Sequence, residues 1–253
     1  MLLFRAKQVQ SRLDFEQKSI FIRLFELSIE EADQLNVTET KLLPKTSGLV
    51  LHKAAQYDLL LWLLTLGRER AFRERALGLA NLSPGESVLD IGCGTGTLAI
   101  AAKHQVGRTG HVYGIDAAPE MIARAGKKAR KVGVEVDFRN ALVESLPFRD
   151  GKFDVVLSTL MLHHLPGKLR GQCAAEVRRV LKPGGRLLAI DFGTSPGQKG
   201  IVAHFHRHGH ITLTEMVDLS SDAGLKIAES GAVGIGDLEY VLAVTPYCEP
   251  SPQ

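Results

Sequence analysis

The sequence predicts a doubly wound α/β sheet of about seven strands, mostly parallel, preceded by a helical extension. Three observations carry that expectation. From residue 87 onward, short apolar runs alternate with amphipathic stretches of helical period. The first run, Ser87–Ile91, breaks into glycines at alternate positions, Gly92, Gly94 and Gly96, and then into a helix-forming stretch. The last two runs, 225–230 and 239–244, are joined by a connection too short for a helical crossover, so they can pair antiparallel as a hairpin-like end.

Taken in order, residues 1–47 read as an N-terminal helical extension. Over 15–35, Phe21, Leu24, Phe25, Ser28, Ala32 and Leu35 recur at helical spacing with Glu30, Glu31 and Asp33 on other faces, and Pro44 closes the segment. Packing on the core, a lid over the substrate and a homodimer contact are the readings open to it. An acidic polar face argues against lying on a membrane. Residues 48–246 then form the main domain with a helical lead-in. Its first helix, 48–67, carries His52 and Tyr57, which suit either a pocket lining or packing. Arg68, Arg70, Arg73 and Arg75 surround the next helix, 69–82. They could touch phosphates, but i,i+4 pairing of Arg70 with Glu74 favours a solvated face.

The turn pair Pro84-Gly85 introduces the first strand. A strand, a glycine turn and a helix in that order leave backbone N–H groups at a helix N-terminus, a ready site for an anionic or polar ligand. Glycine lets the ligand approach where a Cβ would collide. Cys93 fits that loop as a small residue. A second strand, 111–115, ends at Asp116, 20 residues after Gly96, where a carboxylate can accept hydrogen bonds from both ribose hydroxyls of a nucleoside. A dinucleotide fingerprint would need glycine at 97, and Thr97 stands there.

Pro119 opens a helix over 119–132, whose basic end (Lys127, Lys128, Arg130, Lys131) suits a helix C-terminus and needs no ligand. Strands follow at 134–138 and 153–158, the second an apolar run typical of a central parallel strand. A helix over 168–181 ends at Lys182-Pro183-Gly184-Gly185, and a strand occupies 186–191. Past a loop rich in Gly and His, Thr212 or Thr214 opens a helix over 212–223. Residues 247–253 form a frayed tail.

At 253 residues, 45% hydrophobic and 23% charged, the chain has the composition of a globular protein with one substantial core. A net charge of +3 does not indicate a nucleic-acid partner. The longest apolar run, 59–66, falls far short of the roughly 20 residues of a membrane span, and no secretory signal is visible. Cys93, Cys173 and Cys248 share no metal or redox spacing, which suits a reducing compartment and a cytoplasmic protein. His204, His206, His208 and His210 alternate, but no Cys or acidic partner is spaced with them, so no metal site is expected.

Six blocks in this order resemble the class I S-adenosylmethionine-dependent methyltransferases, in particular the ubiquinone/menaquinone-biosynthesis and related small-molecule enzymes. They are residues 88–96, with Asp90-x-Gly92-x-Gly94-x-Gly96; 114–121, with Asp116; 144–148, with Leu146-Pro147-Phe148; 151–156; 162–165, with His163-His164; and 176–185. The resemblance covers about two-thirds of the chain and implies a Rossmann-like methyltransferase fold, a seven-stranded sheet whose last strand is antiparallel. It also implies S-adenosyl-L-methionine as cofactor. Asp90, Gly92, Gly94, Thr95 and Gly96, with Cys93 between them, would line the methionine moiety. Asp116 would hold the ribose, and Ala117 and Met121 would flank the adenine. Relatives often place an acidic residue against the adenine amine where this chain has Leu142. Backbone groups of Leu142 or Val143 are the substitutes, and Asn140 is the nearest polar side chain, equally readable as a strand-end turn residue. Ser158 and Thr159 would sit beside the methyl group.

Methyl transfer from a sulfonium has an activated leaving group, so alignment and water exclusion carry most of the catalysis. A base is needed only where the acceptor keeps its proton. His163 and His164, after the fourth strand, are the candidates for that base, with loop capping as the plainer reading. The expected function is methylation of a small organic acceptor, aromatic or lipid-like. An RNA or protein methyltransferase and a non-catalytic nucleotide-binding protein are the alternatives. A nucleobase-amine methylase is disfavoured because Ser158-Thr159-Leu160-Met161 replaces the Asn/Asp-Pro-Pro-aromatic run, and a nicotinamide oxidoreductase by Thr97.

Overall fold

Seven strands form one sheet in the order β3-β2-β1-β4-β5-β7-β6 in the computed structural model, which describes residues 69–193 and 211–247. The helices expected at 15–35 and 48–67, the extension and its boundary, His52, Tyr57, the histidines from 204 to 210 and residues 248–253 lie outside the described residues. The elements are α1 (Glu69–Ala80), β1 (Ser87–Ile91), α2 (Thr97–Val106), β2 (His111–Asp116), α3 (Pro119–Val132), β3 (Asp137–Asn140) and β4 (Phe153–Thr159). After a 3-10 turn (Leu162–His164) come α4 (Gly167–Val180), β5 (Leu181–Phe192), α5 (Leu213–Asp222), β6 (Lys226–Ala232) and β7 (Leu238–Val244).

Strands β1 to β5 are mutually parallel, and β7 pairs antiparallel with both β5 and β6. The last strand is therefore inserted between its two predecessors, an arrangement that hairpin pairing alone does not foretell. Alternation along the strands sorts two apolar layers. Leu89, Ile91, Val156 and Ala189 face α4 and α5 through Val177, Val180 and Met216. Val88, Val155, Leu157 and Ile190 face α1 and α2 through Phe72, Ala76, Leu98 and Ala102. Strand β4, between β1 and β5, is largely enclosed, as its near-continuous apolar run demands. Sequence order reverses between β1 and β4, which opens a crevice at their carboxyl ends, the ligand site of such sheets.

Helix signals act as expected at several ends. Thr212 Oγ1 accepts from the Glu215 amide at 3.0 Å, the first half of a capping box. Arg70 Nε meets Glu74 at 2.8 Å on an exposed face of α1. Asn81, at φ 49°, ends α1 in the left-handed region.

Two boundaries differ from expectation. Strand β3 starts at Asp137, three residues late. Gly133 at φ 71° ends α3, and the Val134 amide is spent on the Ala129 carbonyl at 3.1 Å, closing a Schellman-type cap rather than joining the ladder. Strand β5 starts at Leu181, inside the stretch read as helix and turn. Leu181 pairs with Phe153, residues 182–185 bulge out with Gly184 at φ 74°, and regular pairing resumes at Arg186. Thr245 holds the bulge by bonding the Lys182 and Gly185 carbonyls.

Candidate cofactor and methyl-transfer site

The glycine loop is shaped from both sides by protein. Gly92, Gly94 and Gly96 sit at φ 65°, 51° and 75°, a region that costs an L-residue roughly 1–2 kcal/mol. A Cβ at Gly92 would strike the Met161 side chain, and one at Gly96 would lie 2.5 Å from Phe138 Cζ and 2.7 Å from Ala125 Cβ. At these two positions glycine therefore fits the loop against neighbouring side chains as well as admitting a ligand. Met161 is aimed at Gly92 by Leu160, a buried residue at φ 54° whose amide bonds the Ile190 carbonyl at 2.8 Å. A Gly96→Ala variant combines backbone strain with overpacking, and equilibrium urea unfolding should show a loss of about 2–4 kcal/mol. An unchanged midpoint would mean that the wall of α3 and β3 yields freely.

Strand β2 carries Asp116 to the loop. Its Oδ2 accepts from the Gly94 amide and its Oδ1 from the Ala118 amide, both at 2.9 Å. Burial raises its pKa and these two N–H groups oppose the rise. Asn140, at the end of β3, donates to the Asp116 and Ala117 carbonyls at 2.9 and 2.8 Å. Of its two readings, the structure shows the strand-end role, one that fixes the backbone carrying Asp116. A residue missed in sequence also converges here. Lys128 Nζ donates to Thr95 Oγ1 at 2.6 Å and lies 3.3 Å from Thr97 Oγ1, tying the middle of α3 to the glycine loop. In sequence the whole basic run suits the helix end; only the folded geometry singles out Lys128.

Asp90 is the anomaly of the site. Strand β1 buries it to 1% exposure, and neither carboxyl oxygen makes a well-formed hydrogen bond among the described residues, the Ala99 amide acting on it only weakly. Burial first, and the Asp116 charge second, push its pKa up to about 8, while the Ala99 amide at the start of α2 offsets only part of this. Burial and the same two carboxylates hold the Cys93 thiol well above its usual range, so it is a filler and not a nucleophile. Ser158 Oγ, near the end of β4, is likewise buried without a partner.

Other predicted residues fall nearby. Ala117 follows β2 and is half-buried, Met121 is buried in the first turn of α3, Leu142 is half-buried and Val143 buried, and Thr159 ends β4 half-buried. The histidines lie on the 3-10 turn after β4. His163 Nδ1 is 2.6 Å from Asp191 Oδ1, and the His163 amide donates to Asp191 Oδ2 at 3.2 Å. His164 stacks on it at a tilted 4.0 Å between ring centroids. Asp191, fully buried near the end of β5, shows in sequence only as a strand end; its partner is 28 residues away, beyond any local pattern. Among the described residues no cluster of His, Cys, Asp and Glu could hold a metal, and no helix is long and apolar enough to cross a membrane.

Known proteins match this architecture. A methyltransferase-domain family model matches residues 88–185. The demethylmenaquinone methyltransferase of Thermus thermophilus is 39% identical over 150 residues, 59% of this chain and 67% of that protein. The chain belongs to the S-adenosylmethionine-dependent methyltransferases. The ubiquinone/menaquinone biosynthesis C-methyltransferase of Paraburkholderia xenovorans is 37% identical over 157 residues, 62% of this chain, which spans 64% of that relative's length. Among solved structures, a SAM-dependent methyltransferase from Aquifex aeolicus superposes with a TM-score of 0.60 at 27% identity, covering 68% of this chain and 88% of that one.

The residues present fit the family's cofactor. A buried carboxyl without a well-formed hydrogen bond suits a cation with N–H groups, and the α-ammonium of S-adenosylmethionine is one. The amides at the start of α2 follow directly, with Gly96 as an N-cap that offers no side-chain acceptor.

Proposed function

We propose that the protein transfers the methyl group of S-adenosylmethionine to a small hydroxylated aromatic acceptor of the quinone-precursor type. The orphaned Asp90 carboxyl beside the glycine loop carries the cofactor half of this reading. The names of the relatives support the acceptor half: a demethylmenaquinone methyltransferase and a ubiquinone/menaquinone C-methyltransferase. Asp90 takes the ammonium, and the loop from Gly92 to Gly96 lines the methionine. Asp116 turns toward the ribose hydroxyls, Ala117 and Met121 flank the adenine, and backbone groups of Leu142 or Val143 meet its edge. Ser158 and Thr159 border the methyl end.

Bound there, the cofactor supplies a methyl group on a positively charged sulfur, which leaves as a neutral thioether. The chain's own part is to hold donor and acceptor in line and to exclude water. The full-length protein, incubated with methyl-labelled cofactor and chemically reduced demethylmenaquinone, should yield labelled quinone and an equal amount of S-adenosylhomocysteine. Failure to bind either form of the cofactor by calorimetry would end the reading; binding without product would remove the acceptor class.

A further inference from the structure

We propose that His163 and Asp191 form a proton-accepting dyad that ionises the acceptor hydroxyl, with Asp191 as the residue that positions the histidine. This rests on the acceptor class just proposed and adds how that class is activated. Asp191 is 0% exposed and His163 is 7% exposed, so the pair is shielded from solvent. Three N–H groups converge on the carboxylate: His163 Nδ1 at 2.6 Å, the His163 amide at 3.2 Å and the Phe192 amide at 2.8 Å. A carboxylate only accepts, so Nδ1 is the donor of this pair. The bonds to Asp191 engage Nδ1 and the main-chain amide, which leaves Nε2 as the ring nitrogen that takes the acceptor proton in this proposal.

The turn bearing His163 is held from beneath as well. Arg170, itself buried, donates from Nε to the Leu162 and Leu165 carbonyls at 3.1 and 2.9 Å, and its Nη1 pairs with Glu215 at 2.5 Å. Phe192 meets the His163 ring edge-on at 5.3 Å. Arg170 thus holds the turn that follows β4, while the Asp191 carboxylate and the Phe192 ring fix the orientation of the His163 ring. A surface loop-capping histidine needs none of this.

In the step assigned to the dyad, the acceptor O–H bond breaks and an Nε2–H bond forms, leaving imidazolium paired with the Asp191 carboxylate and an oxyanion on the acceptor. The oxyanion raises electron density at its ortho carbon. That carbon takes the methyl group as the C–S bond breaks and its electron pair goes to sulfur. The ring carbon then loses its proton to water and the imidazolium returns its own to the oxygen, so one proton is released per turnover.

The test uses 1-naphthol, a hydroxyaromatic whose anion absorbs at longer wavelength than its neutral form. Titrated into the S-adenosylhomocysteine complex of the full chain, naphthol should ionise at a pH at least one unit below its value in free solution. His163→Gln and Asp191→Asn should return the ionisation to the free value while keeping homocysteine-cofactor affinity within about threefold, which also verifies folding. Asn in place of Asp191 donates to Nδ1 and so moves the ring proton to Nε2, an effect that a purely structural role would not produce in the pH profile. Equal ionisation in the parent and both variants, or no naphthol binding at all, would overturn the dyad. An ionised naphthol with no transfer to reduced demethylmenaquinone would leave the dyad standing and sink the acceptor assignment instead.

Discussion

The Asp90→Asn protein should be more stable than its parent when unliganded at neutral pH and should bind S-adenosylmethionine far more weakly. Both effects come from one buried group. The folded pKa of Asp90 stands at about 8 against an ordinary 3.8, and burial is the main cause. Between those values the unfolded chain has shed the proton and the folded chain retains it. The unfolded state binds fewer protons there, so stability falls as pH rises from about 4 to about 8 and is level outside that window. At pH 7 the penalty is roughly 4 kcal/mol. Asn abolishes the titration but keeps an unsatisfied polar group, so the gain should be about 2–4 kcal/mol. Urea unfolding from pH 4 to 9 should slope in the parent and run flat in the variant; parallel curves would show that Asp90 is not the group responsible.

The opposite holds for the bound state. An ammonium placed against Asp90 stabilises the ionised carboxylate, so the parent's cofactor affinity should climb toward pH 8 and binding should release a proton below it. Losing one partner of such an enclosed pair costs about 3–5 kcal/mol. Calorimetry in buffers of different ionisation enthalpy reads that proton directly. Stability is thus sacrificed at the residue proposed to meet the ligand, the pattern expected of a binding site and not of a silent core position.

How far these features were legible depends on the range of the interactions. The glycine spacing, Asp116 at a strand end and the apolar run of β4 are local patterns, and each appears where the sequence places it. Thr212 and Pro119 likewise announce helices through neighbours one to three residues away. Strand β3 slipped because a cap competes for the Val134 amide, and apolar alternation carries no record of that competition. Long-range closures were illegible. Lys128 reaches Thr95 across 33 positions, and Asp191 reaches His163 across 28, so neither has a spacing to read. The double role of Asp116 was half visible: its place pointed to a sugar, but its grip on the Gly94 amide exists only once β1 and β2 lie side by side.

That second role sets the outcome of Asp116→Ala. Ala removes two charge-assisted bonds, to Gly94 and to Ala118, along with those proposed to the ribose. Each is worth about 1.5–3 kcal/mol. Because the first two order the loop before any ligand arrives, their loss turns a preformed site into one that must be ordered on binding. The affinity for S-adenosylhomocysteine should fall by roughly 3–4 kcal/mol, two to three decades. A cycle with the 2′,3′-dideoxy analogue separates the parts. Were the carboxylate only a ribose ligand, parent and variant would bind the analogue equally. If it also braces the loop, the variant should remain about tenfold weaker toward a ligand that has no hydroxyls to hold, an expected residue of about 1.4 kcal/mol. Asp116→Asn should fall between, because its amide accepts through one oxygen where the carboxylate accepts through two.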